Sequence, residues 1–139
     1  KNHLIHCDAL VLPGGGKGAQ TMAGNSVLRL AVQQQFLQGS IVAAICAAPM
    51  VFGAAGILKG KHATIYPGMQ EYIEGAIYHD DAYVVEQDNI ITACGPAAAH
   101  HFAFAIARRL VKNPSLVDEV ATVMGYIGHP AGFTDHIKC

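Results

Sequence analysis

Two short, almost wholly apolar runs, each ended by a chain break, constrain the fold of this sequence most. DALVL (8–12) stops at Pro13 and three glycines, and IVAAI (41–45) stops at Cys46. Between them, residues 25–37 carry apolar side chains at helical spacing. Strands without polar alternation are typical of a parallel sheet that is covered on both faces. The order strand, helix, strand therefore predicts an α/β fold with a mostly parallel sheet.

The rest of the chain continues this alternation, and we interpret residues 1–139 as a single domain. Either Asn25 or Ser26 caps the first helix, and Ser115 is expected to cap the last one. The glycine-rich stretch after Pro13 is predicted to be a loop. The further predicted elements are a helix from Pro49 to Gly56, a third strand over His62–Tyr66 and a hairpin over Tyr83–Cys94. They are followed by a helix over Ala98–Val111, a helix over Ser115–Met124 and an irregular tail over 127–139. One face of the helix over Ala98–Val111 is predicted to carry Ala99, Phe102, Ala103, Ile106 and Leu110.

Composition excludes several function classes. The chain of 139 residues is 52% hydrophobic and 14% charged with a net charge of −1, so nothing favours binding to nucleic acid or to an anionic membrane surface. No apolar run approaches the roughly 18 residues that a membrane span needs. The four cysteines form no CxxC pair, which predicts reduced thiols in a cytoplasmic protein.

Cys46 lies where a buried strand turns into a helix, within the segment AAICAAP. A nucleophile at such a sharp turn needs small neighbours, and Ala44, Ala47 and Ala48 provide them. The amino end of the following helix is expected to lower the thiol pKa from about 8.5 toward the roughly 3.5–7.5 range of activated cysteines. The alternative is that Cys46 is a small buried hydrophobic residue.

The glycines after the first strand favour the reactive alternative. Gly14 and Gly15 let backbone N–H groups approach a ligand with no Cβ in the way. Together with the N–H of Ala47, they are predicted to hold a developing oxyanion beside Cys46.

These segments resemble a known family. DALVLPGGGKGAQTM, AAICAAP and TACGPAAAHHFAFAIARRL occur in the order found in the ThiJ/PfpI superfamily, in the branch of the Parkinson's-disease protein and its bacterial ThiJ-like relatives. The resemblance implies a flavodoxin-like three-layer sandwich, a homodimer, no cofactor, and Cys46 as an easily oxidised nucleophile. It also implies that Gly15 and Ala47 are the backbone donors beside the sulfur.

The sequence departs from the family pattern at two places. The family's general acid/base glutamate lies on the first strand-to-helix loop, within a first β-α-β element that we expect to be missing from this chain, before Lys1. Either that element is a separate amino-terminal fragment, or this chain is expected to be unstable and inactive. A targeting signal there is not tested by these residues. Glu71 and Glu74 are expected to be a solvated helical face instead. Tyr66 stands where some members have histidine, and it is a poor base near neutral pH.

Other families that share the strand-to-helix cysteine fit less well. The protease-like branch has histidine directly after the nucleophile, where this chain has Ala47. Glutamine amidotransferases carry a distant His-Glu pair that the sequence does not show.

Several histidines and cysteines are secondary candidates. His100 and His101 begin a helix near the expected mouth of the site, as solvated residues or as pocket residues. His79 and His129 have no partners at ligand spacing, so no metal is expected. Cys94 is expected to be a core residue rather than a resolving thiol, Cys7 a buried residue, and Cys139 a mobile terminal thiol.

We therefore predict a glyoxalase- or deglycase-like enzyme in which Cys46 adds to a small α-oxoaldehyde such as methylglyoxal. The alternative is a redox-sensing stress protein or chaperone whose cysteine oxidises to sulfinate. A binding module without chemistry is the third class.

Overall fold

The computed structural model describes residues 6–126 and 134–139. Within these ranges lie seven β-strands and five α-helices. The strands are β1 (Ala9–Leu12), β2 (Ile41–Ile45), β3 (His62–Ala63), β4 (Ile77–Tyr78), β5 (Ala82–Gln87), β6 (Ile90–Ala93) and β7 (Thr134–Lys138). The helices are α1 (Gly16–Gly24), α2 (Ser26–Leu37), α3 (Pro49–Ala55), α4 (Ala99–Leu110) and α5 (Ser115–Val123).

Five strands form the main sheet, in the order β1-β2-β6-β5-β7. The pairs β1-β2, β2-β6 and β5-β7 are parallel, and only the hairpin β5-β6 is antiparallel within this sheet. Strands β3 and β4 pair in parallel as a separate small sheet. The predicted mostly parallel α/β sheet is confirmed.

Side chains alternate between the two faces of the main sheet along each strand, so both faces present apolar residues. Helices cover both faces. On β2, Val42 and Ala44 pack in a core with α1, α2 and α3, whereas Ile41 and Ala43 pack in a second core with α4. Helix α5 packs outside α4 through a third, smaller cluster. The arrangement is the predicted three-layer sandwich. No helix of the described residues is both long and apolar enough to cross a bilayer.

Gly14 and Gly15 lie in the loop predicted after Pro13, but the helix that follows them directly was not predicted. Helix α1 begins inside the glycine run, at Gly16, and Gly15 precedes it with φ of 100°. Each internal glycine costs a helix about 1 kcal/mol relative to alanine. Ala19 is fully buried, and Met22 packs against the same core. Packing against α3 and the sheet thus stabilises a helix that the local sequence disfavours.

The starts of α2 and α5 differ in their capping. Asn25 Oδ1 accepts the N–H groups of Val27 and Leu28 at 3.0 and 3.1 Å, which decides between Asn25 and Ser26. The N-cap of α5 is Pro114, which provides no side-chain hydrogen bond, and Ser115 is the first residue of the helix. Ser115 is therefore not the cap, contrary to prediction.

The buried face of α4 differs from the predicted one. Phe102 is buried and Ile106 packs against the same core, as expected. Phe104 is also buried, because α5 covers a second side of the helix. Three residues of the predicted face are exposed instead: Ala99, Ala103 and Leu110.

The predicted third strand, His62–Tyr66, is shorter than expected and lies outside the main sheet. Only His62 and Ala63 are strand, paired with β4. Beyond them, the N–H of Thr64 donates to Thr92 Oγ1 at 3.0 Å, and the N–H of Tyr66 donates to the Cys46 carbonyl at 2.9 Å. The Thr92 side chain and the Cys46 carbonyl, rather than a neighbouring strand, thus accept the N–H groups of Thr64 and Tyr66.

The tail contains a strand, β7, although it was predicted to be irregular. Its residues bind Glu86 of β5, which is 3% exposed: His136 Nε2 contacts one carboxylate oxygen, and Lys138 Nζ lies 3.9 Å from it. Arg109 of α4 donates to the other oxygen at 3.2 Å. Burial raises the pKa of Glu86, but the hydrogen bond from His136 and the nearby cations outweigh it, so the pKa is lowered overall. The buried carboxylate holds β7 against β5, which the polar tail sequence does not indicate.

Candidate functional site

Cys46 follows β2 directly and has a backbone conformation that is rare for a residue with a side chain. Its φ is 64°. Two backbone hydrogen bonds of 2.9 Å hold this turn: the Cys46 N–H donates to the Ala93 carbonyl, and the Cys46 carbonyl accepts from the N–H of Tyr66. Such a conformation costs about 1–3 kcal/mol and is typical of functional sites. The geometry is that of a strand-to-helix nucleophile turn.

Gly14 lies directly against Cys46. A Cβ built on Gly14 would lie 2.7 Å from Cys46 Cβ, 3.2 Å from the Ile45 carbonyl oxygen and 3.4 Å from Cys46 Sγ. Only glycine therefore allows the loop after β1 to approach the thiol this closely.

Gly15 and Ala47 place backbone N–H groups on the two chain segments that meet at this point. Gly15 is exposed, whereas Ala47 is 2% exposed. Within residues 6–126 and 134–139, neither N–H donates to an acceptor. Unpaired N–H groups beside a nucleophile are the donors that an oxyanion requires.

Helix α3 begins three residues after Cys46, at Pro49, and ends at Gly56 in the left-handed conformation with φ of 75°. Both limits agree with the prediction. The helix has seven residues and follows the turn formed by Ala47 and Ala48, so the geometry of the turn dominates the site.

Cys94 is the second thiol at this end of the sheet. It follows β6, the neighbour of β2, and packs against the core that contains α4. Burial raises the pKa of Cys94, and the charge of Cys46 raises it further, so the two thiols are neighbours. All four cysteines are free.

Tyr66 also lies at the site. Its N–H binds the carbonyl of Cys46, and its side chain is 46% exposed. A Cβ built on Gly95 would lie 3.3 Å from Tyr66 Cδ2, so the ring lies over the Gly95 turn after β6. The contact of Tyr66 with a ligand stays a prediction.

The described contacts of His100 and His101 connect them to an aromatic cluster. His101 stacks on Tyr83 with ring centroids 4.6 Å apart, and its Nε2 lies 2.6 Å from Tyr126 Oη. His100 is exposed and stacks on Phe104 with centroids 6.4 Å apart. Their assignment to the pocket stays a prediction.

His79 has neighbours that its sequence spacing hides. His62 Nδ1 lies 2.7 Å from His79 Nε2, and Cys139 completes a cluster with them. The argument that His79 lacks ligand-like partners was therefore wrong. His129, the other histidine of that argument, lies outside the described residues. Cys139 was also expected to be mobile, but its N–H donates to the Glu86 carbonyl at 2.8 Å.

Glu71 and Glu74 are exposed, as predicted, around a short 3₁₀ helix. Cys7 is only half-buried, and Gln35 Nε2 donates to its carbonyl at 2.5 Å. Surface cavities of about 330, 390 and 540 Å³ are lined by other residues than Cys46. The backbone geometry, not a closed cavity, identifies the site.

The chain is similar in sequence and in fold to known proteins. Residues 3–109 match the DJ-1/PfpI family. The protein dj-1beta of Drosophila melanogaster is 40% identical over 115 residues, which cover 82% of this chain and 61% of that protein. The crystal structure of Drosophila melanogaster DJ-1beta superposes with a TM-score of 0.81 at 38% identity, over 87% of this chain and 65% of that one.

Two relatives carry names that state an activity. A deglycase of Pyrococcus horikoshii is 35% identical over 65% of this chain and 54% of its own length. A glutathione-independent glyoxalase of Caenorhabditis elegans is 33% identical over 74% of this chain and 55% of its own length. This chain thus spans less than two thirds of the length of each of these relatives. The match over residues 3–109 and the shared fold show that the chain belongs to the DJ-1/PfpI family.

Proposed function

We propose that this chain carries the nucleophile of a glyoxalase- or deglycase-like enzyme that acts on small α-oxoaldehydes such as methylglyoxal. The observation that carries the proposal is the φ of 64° at Cys46, maintained between β2 and α3 with Gly14 against the thiol. This conformation costs free energy, and at a strand-to-helix turn it is typical of a nucleophile. The names of the deglycase and glyoxalase relatives support the same reaction class.

The reaction needs no external oxidant. The Cys46 thiolate adds to the aldehyde carbon, and the carbonyl electron pair becomes an alkoxide, to which we assign the N–H groups of Gly15 and Ala47 as donors. Protonation gives a hemithioacetal. A base then removes the proton from this carbon and returns it to the neighbouring carbon, which oxidises the first and reduces the second. Water cleaves the resulting thioester, releasing a hydroxy acid and the thiol.

The proton transfer requires a base that the described contacts of Cys46 do not supply, since these contacts are with backbone groups and Gly14 rather than with a carboxylate. We assign this role to the glutamate that the family resemblance places before Lys1. The homodimer that the resemblance implies is part of the same proposal.

The test is lactate production from methylglyoxal by the complete protein that carries this chain. The Cys46→Ser variant should lose at least about a thousandfold in kcat/KM, because the hydroxyl is a far weaker nucleophile than the thiolate. The matched control Cys94→Ser should retain activity within about threefold. Equal turnover by the wild-type protein and Cys46→Ser would contradict the proposal.

A redox role uses the same thiol and is the second candidate. Oxidation of Cys46 to sulfinate adds two oxygens, and the unpaired N–H groups of Gly15 and Ala47 could bind them. Mild peroxide followed by peptide mass spectrometry should then show a gain of two oxygens at Cys46 before Cys94. Uniform oxidation of all four cysteines would argue against this role.

A further inference from the structure

A second cluster of reactive side chains lies at the small β3-β4 sheet, built by three separate segments. His62 belongs to β3, His79 follows β4, and Cys139 follows β7. One ligand atom from each lies within 4.8 Å of the other two. We propose that these three residues form a site for Zn²⁺, independent of the Cys46 chemistry.

The two imidazoles are arranged so that their ring nitrogens converge. His62 Nδ1 and His79 Nε2 are 2.7 Å apart, with ring centroids separated by 5.0 Å and planes inclined by 29°. Ligand nitrogens on a tetrahedral zinc ion, each about 2.0–2.1 Å from the metal, are separated by about 3.3 Å. A widening of about 0.6 Å by small ring rotations would therefore admit the ion.

The backbone at each ligand is held by hydrogen bonds that do not involve the cluster itself. The N–H of His62 donates to Gln87 Oε1 at 2.5 Å, and the N–H of His79 donates to the Ala63 carbonyl at 3.0 Å. The N–H of Cys139 donates to the Glu86 carbonyl at 2.8 Å. Ligands whose main chains are fixed in this way lose little conformational entropy when they bind a metal.

A carboxylate stands behind one of the imidazoles. His79 Nδ1 lies 3.9 Å from Asp81 Oδ1, on the nitrogen opposite the one that faces His62. This distance is too long for a hydrogen bond, so Asp81 does not fix the orientation of the His79 ring. Its charge instead contributes a weak electrostatic attraction for a cation bound by the cluster.

The donor set determines which ion fits. Two neutral imidazoles and one thiolate suit the borderline-soft Zn²⁺ and not the hard cations Mg²⁺ and Ca²⁺, which prefer oxygen. Binding releases the thiol proton of Cys139, while the proton shared by the two imidazoles moves to a nitrogen that faces away from the ion. Cys139 is exposed, so a water molecule can complete the tetrahedron.

The experiment titrates the metal-free complete protein with Co²⁺ as a spectroscopic probe and then displaces it with Zn²⁺. We expect one equivalent to bind with the visible absorption of tetrahedral cobalt and a thiolate charge-transfer band. Cys139→Ser should remove the charge-transfer band, and His79→Ala should weaken binding at least tenfold. Asp81→Asn removes only an exposed charge and should change the affinity by no more than about threefold, and excess Mg²⁺ should not compete.

Matched controls distinguish this site from adventitious binding and from the nucleophile. His100→Ala removes an exposed histidine, and Cys46→Ser removes the nucleophile. Both should leave the cobalt spectrum and the affinity unchanged. Because Cys139 is exposed, Cys139→Ser tests the site without disturbing the core. An unchanged spectrum and affinity in Cys139→Ser and His79→Ala, or loss of the spectrum in Cys46→Ser, would overturn the proposal.

Discussion

Cys46 and Cys94 follow the ends of two neighbouring strands, β2 and β6, yet their backbone conformations differ. The N–H of Cys94 still pairs with the Tyr83 carbonyl at 3.0 Å, which continues the hairpin ladder. Cys46 departs from strand geometry with φ of 64° and lies against Gly14. The comparison teaches that position at the carboxyl edge of a sheet does not by itself distinguish two thiols. The backbone conformation and the neighbouring glycine loop distinguish Cys46 from Cys94.

The largest expected difference is in alkylation at pH 7. Burial and the nearby Cys46 raise the pKa of Cys94 above the ordinary value of about 8.5, so at most about 3% of Cys94 side chains carry the thiolate at this pH. Cys46 should be alkylated by iodoacetamide at least about tenfold faster than Cys94. Peptide mapping of a time course measures both rates, with Cys7 as an internal reference. Comparable rates would remove the distinction between the two sites.

The second prediction concerns the glycines beside each thiol. Gly14→Ala places a Cβ 2.7 Å from Cys46 Cβ and 3.2 Å from backbone, so the turn must shift. We expect a loss of about 1–3 kcal/mol in unfolding free energy and about tenfold slower alkylation of Cys46. Gly95→Ala meets only the exposed Tyr66 ring at 3.3 Å and should cost less than about 1 kcal/mol.

Denaturant melts and the same peptide mapping provide both measurements for this pair. A Gly14→Ala protein as stable and as reactive as Gly95→Ala would show that the close approach of the glycine loop is not required.

A third, smaller effect is expected in stability at alkaline pH. Because the pKa of Cys94 is raised in the folded state, the unfolded chain loses this proton first as pH rises. The stability associated with the neutral thiol is present below about pH 8.5 and is lost as pH rises through the folded pKa. Urea melts from pH 8 to 10 should show a shallower decline for Cys94→Ser than for the wild-type protein.

The smallest effect tests the coupling between the two thiols. Since the charge of Cys46 contributes to the raised pKa of Cys94, Cys46→Ala should lower that pKa. It should stay above the ordinary value, because burial is the larger cause. The pH profile of Cys94 alkylation in the variant measures the shift. A profile that does not move would show that the thiols do not interact.

The part of the candidate site that is formed by residues adjacent in the sequence was predictable. Cys46, Ala47 and Ala48 are contiguous, and their small side chains indicate a tight turn regardless of what surrounds it. The closeness of Gly14 followed from the rule that the carboxyl ends of neighbouring parallel strands share one edge. The His62–His79–Cys139 cluster was missed because its members come from three segments with no common spacing.

Sequence alone determined the alternation of buried strands and helices, the hairpin and the cysteine turn, because burial on both faces and steric limits at a turn leave their pattern in adjacent residues. Tertiary structure decided that the glycine-rich segment is a helix, that the polar tail is a strand, and that α4 has a second buried side. Each depends on a partner distant along the chain: the core around Ala19, the carboxylate of Glu86, and α5. Local propensity cannot represent the free energy of contacts that form only when the chain folds.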